Sequence, residues 1–168
     1  ATKPNIIWIM SDDISWGDLG CYGQQKIQTP NIDALAAGGM KFTQCYSGST
    51  ICAPSRSCLM QGLHLGHATV RCNQLEGYRH SLQTDDITVP EVLKSAGYAT
   101  GMFGKWGLGL GDQPGLPNDK GFDRFYGYQN QGNAHSYYPE FLWSDRKKVC
   151  FPEHAGFDHL KESKYDSD

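Results

Sequence analysis

TVPEVLKSAGYATGMFGKWG, residues 88–107, sets the fold class. Thr88 and Glu91 have capping-box spacing, in which a threonine and a glutamate three residues on close the first turn of a helix. That helix runs to Ser95-Ala96 and stops at Gly97, a residue that ends helices without steric penalty. Tyr98 to Phe103 then reads as a strand ending in Gly104-Lys105-Trp106-Gly107. Helix alternating with strand is the pattern of an α/β protein.

The same alternation extends outward. Asn5 to Met10 (NIIWIM) is a continuous apolar run, as in a strand buried on both faces of a parallel sheet. It ends in Ser11-Asp12-Asp13. Thr29-Pro30 opens a helix through Ala37, stopped by Gly38-Gly39, and Lys41 to Tyr46 reads as a second strand. A Gly/Ser/Thr loop, Ser47 to Thr50, leads into a helix from Pro54 to Met60. Gly107 to Gly132 reads as a long surface loop, and loops of that length in compact domains are usually functional. Arg146 to Phe151 reads as another short strand, and Glu153 to Asp168 as a polar tail. On this reading Asp12-Asp13, Cys52 to Arg56 and Lys105 all follow strands. They would then meet at the carboxyl edge of a parallel sheet, where α/β proteins bind ligands.

At 168 residues the chain suffices for one domain with a real core. A net charge of −3 argues against binding nucleic acid through phosphate contacts. No apolar run reaches membrane-spanning length; no signal peptide is expected ahead of the first strand, a start compatible with a cytoplasmic protein, a processed exported one or a trimmed chain. Six cysteines (21, 45, 52, 58, 72 and 150) lack the paired C-x-x-C spacing of zinc knuckles, and their even number permits disulfides without requiring them, so they do not settle the compartment.

Cys52-Ala53-Pro54-Ser55-Arg56 carries the strongest chemical signal. Pro54 suits the first turn of a helix, which places Cys52 at its positive end. Arg56 adds a permanent cation with a fork that fits a tetrahedral oxyanion. A cysteine near a helix start is more often a small buried hydrophobe; neighbouring clusters tip the balance. Asp12-Asp13 are adjacent carboxylates that a hard divalent cation, calcium or magnesium, would reconcile. Lys105, between glycines, can act as a point charge on a sulfuryl or phosphoryl oxygen. His135, in Asn133-Ala134-His135-Ser136-Tyr137-Tyr138-Pro139, is a candidate acid or oxyanion contact. His64 and His67 read as local hydrogen-bonding residues, and His80, His154 and His159 carry no separate signal.

These motifs together resemble the N-terminal part of type I sulfatases, in the alkaline-phosphatase-like superfamily. The resemblance runs from Pro4 to about Trp143, and includes Leu59 and Gly62, residues 97–106, Thr29-Pro30-Asn31-Ile32-Asp33 and Gly121-Phe122-Asp123. It implies an α/β fold with a mixed, mostly parallel sheet flanked by helices, incomplete at the C-terminal side, with residues 1–168 forming the N-terminal part of a catalytic domain. It further implies that a maturation enzyme oxidises Cys52 to formylglycine, whose hydrate attacks sulfur and releases inorganic sulfate from a small-molecule or carbohydrate sulfate ester. Calcium, or magnesium, would be held by Asp12, Asp13 and residue 52. Arg56 would hold the hydrate and the metal carboxylates in place, and Lys105 would bind the sulfate. An exported setting (periplasmic, secreted or lysosomal) goes with the family.

Two departures stand out. Many sulfatases have histidine after Gly-Lys-Trp, where this chain has Gly107, and His135 is the expected replacement. Gln61 stands where a small residue or threonine is usual. The family's further metal ligands and second lysine come from later sequence, so a fragment of a longer enzyme is expected. The alternatives are a phosphonate monoester or phosphodiester hydrolase of the same superfamily, or an inactive fragment. A cysteine phosphatase fits less well, because its loop separates Cys and Arg by five residues and three stand between Cys52 and Arg56.

Overall fold

The structure, a computed structural model, describes residues 3–73 and 80–155; the end of the polar tail and His159 lie outside the described residues. The chain falls into two compact units, residues 1–46 and 47–168.

In the first unit, single 3-10 turns at Trp16–Asp18 and Gly20–Tyr22 precede helix α1, Pro30–Gly38. Ser15 and Asp18 form a capping box, and that hydrogen bonding holds the Asp18 carboxyl below its usual range. The Thr29-Pro30-Asn31-Ile32-Asp33 motif is structural here. Thr29 Oγ1 accepts from the Gly20 N–H (2.8 Å), and Asp33 Oδ1 from the Cys21 N–H (2.6 Å). A Cβ on Gly20 would stand 3.1 Å from Asp33 Cγ, so only glycine lets the carboxylate close on this turn.

The sequence-expected strands at residues 5–10 and 41–46 do not form. Ile7 and Ile9 are each 84 % exposed. A strand exists through its ladder partners, and no described strand runs beside residues 5–10. Apolar composition marks a segment that favours burial, without supplying the neighbour that buries it.

The second unit holds α2 (Cys52–Gln61), α3 (Val89–Ser95) and a four-stranded sheet, β1 (Gly101–Lys105), β2 (Arg124–Tyr128), β3 (Phe141–Ser144) and β4 (Lys147–Cys150), in that spatial order. The β1–β2 pair is parallel, and β2–β3 and β3–β4 are antiparallel, so the described sheet is mixed. The capping box at Thr88 and Glu91 forms as expected. The strand after it starts later than the sequence suggests, because the Tyr98 N–H still closes the helix onto Leu93 O (3.1 Å). Thr100 is engaged by Asp123 before pairing begins at Gly101.

Residues 107–132 are not one surface loop, since β2 lies inside them and Leu108, Leu116 and Phe125 are buried. Ala53, Val70, Leu82, Trp106, Leu108 and Phe125 form the core, with Met60, Met102, Phe122 and Trp143 packed against it. β1 and β2 approach closely at Gly104 and Gly127, which are register partners. Gly127 has φ +153, and a Cβ there would stand 2.8 Å from Gly104 C.

Carboxylates fasten the outer turns. Asp123 of the Gly121-Phe122-Asp123 motif pairs with Lys94 (2.6 Å) and accepts from the Thr100 N–H (3.0 Å), and these contacts hold its carboxyl below the usual range. Asp145, in the β3–β4 turn at φ 54, accepts from the Phe125 N–H (2.8 Å) and from Asn118 Nδ2 (3.1 Å). Those hydrogen bonds, with Arg124 nearby, lower its pKa as well.

Lys120 is the unexpected member of this unit, a lysine with a side chain only 1 % exposed. Its ammonium donates to the carbonyls of Gln83 (3.2 Å), Thr84 (3.4 Å) and Asp86, and lies 3.4 Å from Glu91 Oε1. One buried cation thus gathers the 83–86 loop onto the start of α3. Lys120→Met keeps the bulk but orphans these acceptors, so it is expected to destabilise the protein by roughly 2–4 kcal/mol. Urea unfolding midpoints of the two proteins would measure it, and an unchanged midpoint would show that water replaces the ammonium without penalty.

Candidate active site

α2 begins at Cys52 itself, with Ile51 as its N-cap and Pro54 inside the first turn. The Ile51 side chain has no polar atom to cap the helix, and Asn73 does so from a distant loop. Its Oδ1 accepts from the Ala53 N–H (3.1 Å), while its Nδ2 stands 3.2 Å from Cys52 Sγ. The sequence places Cys52 at the positive end of the helix but gives no sign of this cap. Asn73 takes the Ala53 N–H and Pro54 has none, so the anion-binding capacity of this end is reduced. In exchange, the position of residue 52 is fixed by a side-chain amide. All six cysteines are free thiols; Cys58, further along the same helix, is buried, and that burial pushes its thiol pKa up.

Gly62, at φ +64, ends the helix in the left-handed conformation that glycine adopts without strain. Gln61 links the same end to the following loop. Its Oε1 accepts from the Thr69 N–H (2.9 Å) and from Ser57 Oγ (2.9 Å), and its Nε2 donates to Thr69 Oγ1 (3.1 Å). That network gives this departure from the usual small residue a structural purpose.

Arg56 sits on the next turn of α2, 9 % exposed. Its guanidinium donates to the backbone carbonyl of Lys105, pinning the helix that carries Cys52 to the last residue of β1. Trp106 anchors that turn from inside, fully buried, with Nε1 donating to Gly115 O (2.7 Å) and its ring edge-on to Phe122. A tryptophan held at both its ring and its N–H leaves Lys105, half-buried, little freedom of backbone movement.

Parallel pairing brings the carboxyl ends of β1 and β2 together. The Trp106 N–H donates to Tyr128 O (2.9 Å) and the Gly107 N–H to Gln129 O (3.1 Å). The chain leaving β2 then forms a single 3-10 turn, Asn133–His135, so His135 lies on the loop that follows the Lys105 turn's partner strand and is exposed. Cys52, Arg56 and Lys105 are thus tied together within the second unit, and His135 lies on the loop that leaves β2. Of the three clusters expected to follow strands, only Lys105 does, at the end of β1.

Asp12 and Asp13 belong to the first unit. Asp13 is exposed and held at φ 56, a conformation uncommon for a residue with a side chain. Their carboxylates are the hard oxygen donors that calcium or magnesium takes. Among the described residues, however, no group of three or more His, Cys, Asp or Glu side chains is placed to hold a metal. The donor chemistry fits and the number of donors does not suffice.

The remaining histidines are structural where their contacts are seen. His64 Nδ1 accepts from the Gly66 N–H (3.1 Å), and the His154 ring stacks on Phe151 with Nδ1 2.8 Å from Pro139 O. An open cleft of about 510 Å³ is lined by Thr84, Asp112, Leu116, Asp119 and Arg146, and none of Cys52, Arg56, Lys105 or His135 contributes to its wall. Among the described residues no helix is long and apolar enough to cross a membrane.

Comparison with known proteins identifies the family and the fold. Human (Homo sapiens) arylsulfatase A is 45 % identical over 133 residues, covering 76 % of this chain and 25 % of its own length. Among solved structures, Ps i-CgsB superposes with a TM-score of 0.78 at 31 % identity, covering 89 % of this chain and 38 % of that one. A second protein, solved in complex with its substrate D-glucosamine-2-N,6-O-disulfate, gives a TM-score of 0.72 at 34 % identity, covering 89 % of this chain and 28 % of that one. The chain thus spans about a quarter of the curated relative's length. The sheet with its flanking helices is accordingly the N-terminal part of the alkaline-phosphatase-like fold of these neighbours. The Sulfatase family model matches residues 4–166, and with a match of that extent the chain belongs to the sulfatase family.

Proposed function

We propose that the full-length protein hydrolyses a sulfuric ester at residue 52, releasing inorganic sulfate. The observation that supports it most is the donation from Arg56 to the Lys105 carbonyl, because it joins the candidate nucleophile and the candidate sulfate-binding cation in one rigid unit. Such preorganisation is what stabilises charge developing on a transferred group.

Conversion of Cys52 to formylglycine by a maturation enzyme would supply a hydrated aldehyde, an oxygen nucleophile better matched to sulfur transfer than a thiol. Asn73, already 3.2 Å from the residue-52 side chain, orients whatever stands there. Lys105 presents an ammonium to the non-bridging sulfate oxygens, and Arg56 keeps its backbone in place. His135 gives a proton to the departing oxygen, so that an alcohol or phenol leaves neutral. Asp12 and Asp13 have the carboxylate chemistry that calcium or magnesium takes, and further donors would be needed to complete such a site.

The substrate is a small-molecule or carbohydrate sulfate; the neighbour solved with a disulfated glucosamine is a precedent for sugar. The test compares kcat/KM of the full-length protein on an aryl sulfate and on the matching aryl phosphodiester. Sulfate turnover should dominate, and Lys105→Ala should lower kcat on it about 10²-fold. A preference for the phosphodiester would move the protein to the phosphonate or phosphodiester branch.

A further inference from the structure

Gln131 takes no part in the chemistry above, yet its side chain fills the space beside the Lys105 turn. Gly107, two residues after Lys105, has φ +75. A Cβ placed on it would stand 2.6 Å from Gln131 Cδ and 3.2 Å from Cγ, with Nε2 closer still. The carboxamide therefore occupies the room that a side chain at position 107 would need.

What is unusual is the chemistry of the filler. Nε2 and Oε1 of Gln131 are both shielded from solvent, and neither has a hydrogen-bond partner among the described residues. A buried amide group left unsatisfied costs about 1–3 kcal/mol, and native proteins keep few of them. Leucine or methionine would fill the same slot without that cost. Packing alone does not account for a glutamine.

The neighbouring groups narrow the ligand. Lys105 and Arg56 already supply cations for an anion. A carboxamide is neutral and offers both a donor and an acceptor, which matches a hydroxyl better than a sulfate oxygen, an acceptor only. Gln131 also opens the turn that carries His135, since Gln131 O accepts from the Ala134 N–H (3.1 Å) and Gly132 O from the His135 N–H (2.9 Å). The imidazole assigned to the departing oxygen and this amide thus share one turn.

We propose that Gln131 recognises a hydroxyl on the alcohol portion of the sulfate ester, which makes the substrate a sulfated sugar in preference to a simple aryl sulfate. Contact with that hydroxyl requires the amide to turn out from beneath the Gly107 backbone. This inference rests on the sulfate-ester reading given above.

The test uses the full-length protein with a panel of monosaccharide sulfates and one aryl sulfate lacking hydroxyls. Gln131→Leu removes the amide, and Gln131→Met repeats the test with an unbranched side chain if the leucine variant folds poorly. The ratio of kcat/KM on the best sugar sulfate to that on the aryl sulfate should fall about tenfold in either variant. A ratio unchanged by both substitutions would overturn the inference and leave Gln131 as packing. A wild-type protein that hydrolyses the aryl sulfate and none of the sugars would overturn it too. If the wild type hydrolyses no sulfate at all, the sulfate-ester reading fails instead.

Discussion

Cys52→Ala in the full-length protein is expected to lower kcat on a sulfate ester by at least about 10⁴-fold, with little loss of stability. The size follows from removing the only group at this position from which a covalent nucleophile can be made; loss of a nucleophile leaves only binding and electrostatic stabilisation. The small stability change follows from the local structure. Residue 52 is half-buried at the first position of α2, alanine favours helix, and the substitution removes a weak interaction between Sγ and Asn73. Asn73 keeps its bond to the Ala53 N–H in the variant, so the helix start stays capped. Steady-state kinetics and a thermal melt on the same preparation check both halves. Retention of more than about a hundredth of the activity would remove residue 52 from the chemistry.

Arg56→Ala should have the second-largest effect, about 10³-fold in kcat, equivalent to about 4 kcal/mol of transition-state stabilisation. Unlike the Cys52 variant, it should also destabilise the protein, because the Lys105 carbonyl is deprived of a charge-assisted donor in a buried setting. Hydrogen bonds to charged groups contribute about 1.5–3 kcal/mol, so a fall of that order in unfolding free energy is expected. Arg56→Lys separates the two contributions. It keeps a charge but lacks the planar fork that can serve a carbonyl and a second acceptor together. Partial recovery of stability without recovery of kcat is the expected pattern. Full recovery of kcat by lysine would mean that charge alone suffices and that the rigid link to β1 is unimportant.

Much of this architecture is written in local sequence. The capping box of α3, the proline-started α1, the first turn of α2 around Pro54, and the lysine turn after β1 are all set by residues within a few positions of one another, which is why they are legible. The features that are not legible depend on partners far away in sequence. Residues 5–10 have the composition of a buried strand but lack a described neighbour to pair with. β2 is hidden because Gly127 breaks its strand signature, and that glycine is required by the close approach of Gly104.

The site divides along the same line. Cys52, Arg56 and Lys105 lie in contiguous motifs, and a single sequence exposes them. Asn73 and Gln131 are lone polar residues in irregular stretches, and their importance comes from Cys52 Sγ and from Gly107, respectively. An asparagine or glutamine whose partner lies more than twenty positions upstream carries no local signature. Lys120 shows the converse. Its charge and its Gly/Pro-rich surroundings suggest an exposed loop, whereas its ammonium is the centre of a buried cluster of carbonyls.

Peptide mass spectrometry on residue 52, in a preparation with measured sulfate-ester turnover, probes the proposed chemistry most directly. Conversion of the thiol carbon to an aldehyde lowers the mass of the peptide by about 18 Da relative to cysteine, and the converted fraction should rise in step with kcat across preparations. Full turnover from a protein whose residue-52 peptide retains an unmodified thiol would contradict a formylglycine nucleophile at this position.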